Sequence, residues 1–172
     1  MTRIDTIFSD IVARLNVLNT IPSKTIQFMF GSWQEVSNEL ANKGKSPSGK
    51  NFKYPVVFLD SGFTRTMFKE QRFEGSINPK IYILSDSKPG TSSTERLNTV
   101  YNLVLRPIEL ALVEQIRKES WFDFGSKGGH YLPEHTSQDL MYITTKSQTA
   151  DIVDAIELDF KEINIKKQKC ND

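Results

Sequence analysis

The chain of 172 residues holds a single cysteine, Cys170, close to its C-terminal end. One thiol cannot close an internal disulfide, so no cross-linked framework is expected, and a reducing compartment suits the chain. No apolar run reaches the roughly 18 residues that a membrane-spanning helix needs, so no membrane association is expected. Neither sign of charge is in excess, with 22 Lys and Arg against 21 Asp and Glu. That balance argues against a dedicated nucleic-acid binder, which carries a basic surplus. Asp5 and Asp10 interrupt the first apolar residues and no cationic leader precedes them, so no secretory signal is expected. The reading is a soluble protein that is cytosolic or assembled in a cytosol. Apolar residues are somewhat sparse at 38%, although 11 Phe supply core volume, and the length suits one domain.

Catalytic signatures are also wanting. Gly44-Lys45-Ser46 has the ending of a phosphate-binding loop, but position 39, where the loop's first glycine belongs, is Glu39, and the segment follows a helical pattern instead of a strand. Lys43, Lys45, Lys50 and Lys53 therefore read as a solvated loop, with contact to a nucleic-acid backbone or an acidic partner as the weaker alternative. His130, Glu134 and His135 are separated by Pro133, which rules out the helical zinc motif that sets two histidines on one face. Two histidines with no cysteine nearby make thin metal ligation, so neither metal nor cofactor is expected. Cys170 has nothing around it to activate a thiol, and no nucleophile elbow supports a serine triad. Asp159 and Lys161 share one face of a strand in the D-x-K spacing of metal-dependent nucleases, where the acid binds Mg²⁺ and the lysine orients the attack. A cross-strand surface role is the commoner use of such a pair.

What is present is a long apolar helix. Leu97, Tyr101, Val104, Ile108, Ala111 and Leu112 recur at helical spacing across Thr94–Glu119, with Ser93 or Thr94 as N-cap and Arg117 and Lys118 at the cationic end. Val100, Leu103, Leu105, Leu110 and Val113 widen the apolar stripe, so the helix should be covered on more than one side, with the excess flank meeting the N-terminal helix or a neighbouring subunit. Pro107 has no N–H for the carbonyl of Leu103, which predicts a kink or a restart.

An amphipathic helix is expected over 3–18, capped by Thr2, with Ile4, Ile7, Phe8, Ile11, Leu15 and Leu18 inside. A strand over 25–30 follows, then a short helix opened by a Ser32/Glu35 capping box and stopped at Gly44. Tyr54–Asp60 reads as a buried strand. Ile77–Leu84 is its expected neighbour, Pro79 pointing to an edge position or a late start. Strands are expected at 140–145 and at 152–165. The alternation of Ile156, Leu158 and Phe160 slips phase at Ile163 and Ile165, which a bulge at Lys161-Glu162 or a partner covering the far end would explain.

Two long loops are expected as arms, 61–76 and 120–138. The first carries Phe63, Phe68 and Phe73 interleaved with Arg65, Lys69 and Arg72. It is open to three uses: stacking on nucleic-acid bases, docking on a neighbouring subunit, or folding back on its own core. The second opens on Trp121, Phe122 and Phe124. Candidate interface residues are Phe63, Arg65, Phe68, Arg72, Phe73, Trp121, Phe122, Ile163 and Ile165. The fold class is α+β: a single domain over 1–165, in which a mixed, mainly antiparallel sheet packs against the N-terminal and central helices, with a polar tail over 166–172.

This order of elements resembles the tail-terminator and tail-completion (neck, head–tail connector) proteins of tailed bacteriophages, and most of all the neck proteins of phages that infect Bacteroidetes, including the crAss-like group. The stretches that carry the likeness are the helix at 3–18, Tyr54-Pro55-Val56-Val57-Phe58-Leu59, Ile81-Tyr82-Ile83-Leu84, Glu95-Arg96 opening the long helix, Arg106-Pro107-Ile108 within it, and the long C-terminal strand. The resemblance implies a virion structural protein without catalysis or cofactor, assembled in the host cytoplasm into a homo-oligomeric ring, a hexamer or dodecamer. Such a ring ends the tail tube and joins it to the head connector, and DNA passes through its lumen without sequence-specific binding. Two other functions stay open: a metal-dependent nuclease using Asp159 and Lys161, and a small adaptor or inhibitor that binds a host protein through the aromatic arm.

Overall fold

The spacing of apolar residues near the N-terminus yields helix α1 (Ile4–Val17), which buries Ile4, Ile7, Phe8, Ile11, Val12 and Leu15. The structure is a computed structural model that describes residues 3–43, 45, 53–67, 73–88, 90–124, 134–144 and 152–166. Thr2, expected as the cap of α1, lies outside these residues, and Arg3 occupies the cap position without a side-chain capping bond, its guanidinium pairing with Asp5 at 2.6 Å instead. Strand β1 (Gln27–Gly31) leads into helix α2 (Trp33–Lys43) through the expected capping box. The Ser32 N–H donates to Glu35 Oε2 at 2.7 Å, and the Glu35 N–H donates back to Ser32 Oγ at 3.4 Å. The lysines that follow are not uniformly solvated. Lys43 pairs with Glu39 at 3.1 Å, whereas Lys53 is 5% exposed, its ammonium 5.6 Å from the Tyr54 ring centre. Gly44 and Lys50 lie outside the described residues.

Five strands make the main sheet, in the order β1-β2-β5-β8-β7. Its strands besides β1 are β2 (Val56–Asp60), β5 (Lys80–Asp86), β7 (His135–Thr144) and β8 (Ile152–Phe160). The β1–β2 pair is parallel and the others are antiparallel. A smaller antiparallel sheet has the order β3-β4-β9-β6, from β3 (Arg65–Met67), β4 (Phe73–Ile77), β6 (Phe122–Asp123) and β9 (Ile163–Lys166). With the three helices of the described residues, this is the expected α+β domain, and none of them is long and apolar enough to cross a membrane.

Several strands differ from expectation for local reasons. The run expected as one strand over 77–84 is two, because Asn78-Pro79 ends β4 and begins the turn to β5. Pro79 therefore marks a late start, and β5 is the central strand, not an edge. Within the segment expected as an arm over 61–76, the described residues include the paired strands β3 and β4, with Arg65 opposite Ile77 and Met67 opposite Gly75. The C-terminal strand does not carry a bulge at Lys161-Glu162: it breaks there, leaving the main sheet as β8 and joining the smaller sheet as β9. β7 starts at His135, earlier than expected, because it pairs with β8 from His135 opposite Phe160 onward.

The central helix, α3, spans 93–118 in three segments. An α-helical turn (Ser93–Arg96) passes into a π-helical stretch (Leu97–Leu105), and α-helix resumes over Arg106–Lys118. The cap is Ser92, not Ser93 or Thr94: its Oγ accepts the Glu95 N–H at 3.2 Å. The restart expected at Pro107 falls there. The Arg106 N–H reaches back five residues to the Tyr101 carbonyl, and Pro107 sits in the new first turn, where its missing N–H costs nothing.

The layers follow from strand alternation. One face of the main sheet (Val57, Leu59, Ile81, Ile83, Ile156, Leu158, Phe160) packs on α1 and α3, and Ile77, Phe122, Ile163 and Ile165 of the smaller sheet join the same core. Each fully buried side chain of this kind contributes about 1.5–3 kcal/mol. The opposite face (Met29, Val56, Phe58, Leu84, Val153, Ala155) is covered by Val36 and Leu40 of α2, with Trp33 tilted against Phe58 and Tyr82 at 5.7 and 5.4 Å.

Candidate functional site

The expected interface residues do not form one surface. Ile163 and Ile165 are fully buried and Phe122 nearly so, with the Phe122 ring 5.7 Å from Phe8 of α1. The phase slip at Ile163 thus has an internal cause, the change of sheet, and these side chains are turned away from any partner. Phe63 and Trp121 are partly buried against the same core, and Arg65 opens β3. Phe73 contributes its backbone to β4, and Phe68 and Arg72 lie outside the described residues.

The polar pairs that suggested chemistry are also apart. Lys161 Nζ pairs with Glu134 at 2.7 Å. Asp159 faces Lys80 across the β5–β8 register at 3.8 Å, and Lys80 is held more closely by Glu157 at 2.9 Å. The Glu157 hydrogen bond holds the Lys80 ammonium's pKa above its ordinary value, with further help from Asp159 and Asp60. Tyr82 beside them is pushed up as well, by burial first and by its bond to Glu157 second. Asp159 and Lys161 therefore serve different ion pairs. His135 stacks on Phe160 at 5.1 Å, Glu134 is engaged by Lys161, and His130 lies outside the described residues. Among the described residues, no three His, Cys, Asp or Glu side chains converge on a point where a metal ion could sit.

A cavity of about 250 Å³ opens beside the start of α3, lined in part by Lys24, Asp86, Lys88, Thr91, Glu95 and Val104. Arg96 lines it as well, so three cations, Lys24, Lys88 and Arg96, stand with two carboxylates, Asp86 and Glu95. Beneath it, Arg96 and Asp154 form a fully buried ion pair, with Arg96 Nε donating to Asp154 Oδ2 at 2.9 Å and Nη2 bonded to Oδ1. This pair ties the first turn of α3 to β8 near its start. The Tyr101 hydroxyl ties down the π-helical stretch, 3.0 Å from the Leu140 carbonyl and 3.3 Å from that of Ala155. Burial, and then the nearby Asp139 carboxylate, push the Tyr101 hydroxyl up to about 12.

The strongest functional feature is the surface where α3 overlies β7. Arg106 donates to both carboxylate oxygens of Asp139 at 2.8 Å, and the Ser137 hydroxyl donates to Glu109 at 2.6 Å. Leu103 and Leu110, three residues before and four after Arg106, remain 65% and 71% exposed. Of the apolar flank, Leu105 and Val113 are buried in the core shared with α1 and Val100 is partly buried against it, so only Leu103 and Leu110 are left without that cover. Among the described residues β7 pairs with β8 alone, the next strand in the chain, and so forms an edge of the main sheet. No family model, no curated protein and no solved structure matches the chain.

Proposed function

We propose that the chain is a non-enzymatic structural subunit of a phage neck or tail, forming a homo-oligomeric ring that ends the tail tube and joins it to the head connector. The observation that carries this reading is the pair of large apolar side chains, Leu103 and Leu110, standing in solvent beside an edge strand of the main sheet. Exposed apolar groups next to unpaired strand edges favour assembly, and a surface of that kind persists where another chain covers it. The order of elements that resembles neck proteins supplies the particular assembly, and the α+β architecture agrees with it.

Static light scattering and negative-stain microscopy of the purified protein test the reading, alone and with its neighbouring tail and connector proteins. Rings of defined mass are the expected outcome. A strict monomer at high concentration, even with those proteins present, rejects it.

A further inference from the structure

The main sheet ends in β1 on one side and β7 on the other, and among the described residues each pairs with one strand only. The strand β1 uses its odd-numbered residues toward β2: the Gln27 N–H donates to the Pro55 carbonyl, and the Gly31 carbonyl accepts from Ser61. In a parallel ladder this directs the backbone groups of Phe28 and Phe30 away from β2. β7 carries one charged side chain, Asp139, and Arg106 already holds it. Neither strand shows the lysines or prolines that usually guard an open edge. The β7 ladder is regular from His135 to Leu140 and shifts register before Ile143, which leaves a regular stretch close in length to β1.

The two edges also match in side chains and in hand. Along β1, Phe28 packs on the helix-covered core while Met29 belongs to the opposite core. Alternation therefore puts Phe30 on the face that bears α1 and α3, where it is 46% exposed. On β7, Ser137 and Asp139 pair with Leu158 and Ile156 of that same core, so they share that face, where they bond Glu109 and Arg106 of α3, the stretch that carries the exposed Leu103 and Leu110. Following the sheet across, β7 runs antiparallel to β1.

We propose that a second copy of this chain continues the sheet, its β1 adding antiparallel to β7 and its Phe30 seating against Leu103 and Leu110. An antiparallel addition that keeps α1 and α3 of both copies on the same side sets Phe30 opposite Ser137 or Asp139, on the face that carries Leu103 and Leu110. The contact is head to tail, and each copy offers one edge and receives the other. This inference rests on the reading of the chain as a ring subunit, although repeated pairing of this kind closes into a ring only if its rotation closes, and otherwise runs on as a filament.

Cysteine cross-linking tests the contact in a Cys170→Ser background. Phe30→Cys combined with Leu110→Cys should give a ladder of covalent multimers under mild oxidation, while each cysteine alone gives none. A covalent dimer from Leu110→Cys alone would mean that two β7 edges meet about a two-fold axis, and would overturn the proposal, as would a double variant that stays monomeric. A second test needs no cross-link. Phe30→Lys and Leu110→Glu should each weaken assembly by about ten- to a hundredfold. Their equimolar mixture should recover assembly, because alternating copies meet either as lysine with glutamate or as phenylalanine with leucine. No recovery in correctly folded variants, judged by circular dichroism, overturns the pairing. Microscopy separates the two levels: ladders with filaments keep the edge pairing and reject the ring, whereas rings without ladders keep the ring and reject the pairing.

Discussion

Arg96 and Asp154 place a full charge pair at zero exposure between the start of α3 and β8. Desolvating two ions is costly, and the attraction between them offsets that cost only while both are present. Asp154→Ala, which leaves the guanidinium buried, should therefore destabilise the fold by about 3–5 kcal/mol in urea unfolding, and Arg96→Met with Asp154→Leu should recover most of the loss. A double variant no more stable than the single one would show that the pair does more than neutralise itself. Tyr101 makes a pH prediction. Its folded pKa lies near about 12, raised above the ordinary tyrosine value of about 10. A raised pKa favours the protonated folded form, so this contribution is intact below the unfolded value and is lost as pH rises from there through about 12. Tyr101→Phe should flatten that alkaline limb in thermal melts, leaving the part due to Tyr82, and should cost about 1 kcal/mol at neutral pH through the lost hydrogen bonds. An unchanged alkaline limb would exclude Tyr101 as its source.

Elements differ in how openly the residues announce them. α1 was legible because Ile4, Ile7, Phe8, Ile11 and Leu15 repeat at the helical period, and α2 because Ser32 and Glu35 close a box that needs only local geometry. The alternation of Ile156, Leu158 and Phe160 also read true. What failed depended on partners far away in sequence: the turn of Asn78-Pro79 looked like the inside of a strand, and the break at Lys161-Glu162 looked like a bulge, because nothing local says that β9 joins a second sheet. The π-helical stretch over Leu97–Leu105 was invisible for a related reason, since its apolar residues fit an ordinary helix nearly as well. The β3–β4 hairpin hid among aromatic and basic residues, yet one glycine defines it. A Cβ on Gly75 would overlap the Thr66 carbonyl of the neighbouring strand. Gly75→Ala should therefore force β3 off β4, lowering hydrogen-exchange protection across Arg65–Met67 more than in β5 or β8 and costing about 1–3 kcal/mol. Equal loss of protection in both sheets would mean that the hairpin and the main sheet open as one unit.

At the scale of the whole molecule, 22 basic and 21 acidic residues nearly cancel, and the charges beside the candidate contact are already spent within the chain: Arg106 on Asp139 and Glu109, Lys161 on Glu134. An assembly that joins Phe30 to Leu103 and Leu110 through strand pairing draws on apolar burial and backbone hydrogen bonds, and it has little interfacial charge to screen. Salt shortens the Debye length from about 30 Å at 0.01 M to about 3 Å at 1 M, enough to erase attraction between exposed charges. Sedimentation of the same sample across that range should show an assembly that holds its mass, and sulfate salts should strengthen it by favouring apolar burial. An oligomer that dissociates as sodium chloride rises would place its cohesion in ion pairs, and the contact would then have to lie on the charged face around Lys80, Glu157 and Asp159 instead of at the sheet edges. Because a low net charge leaves little long-range repulsion between copies, this measurement separates the two faces without a mutation that could perturb folding.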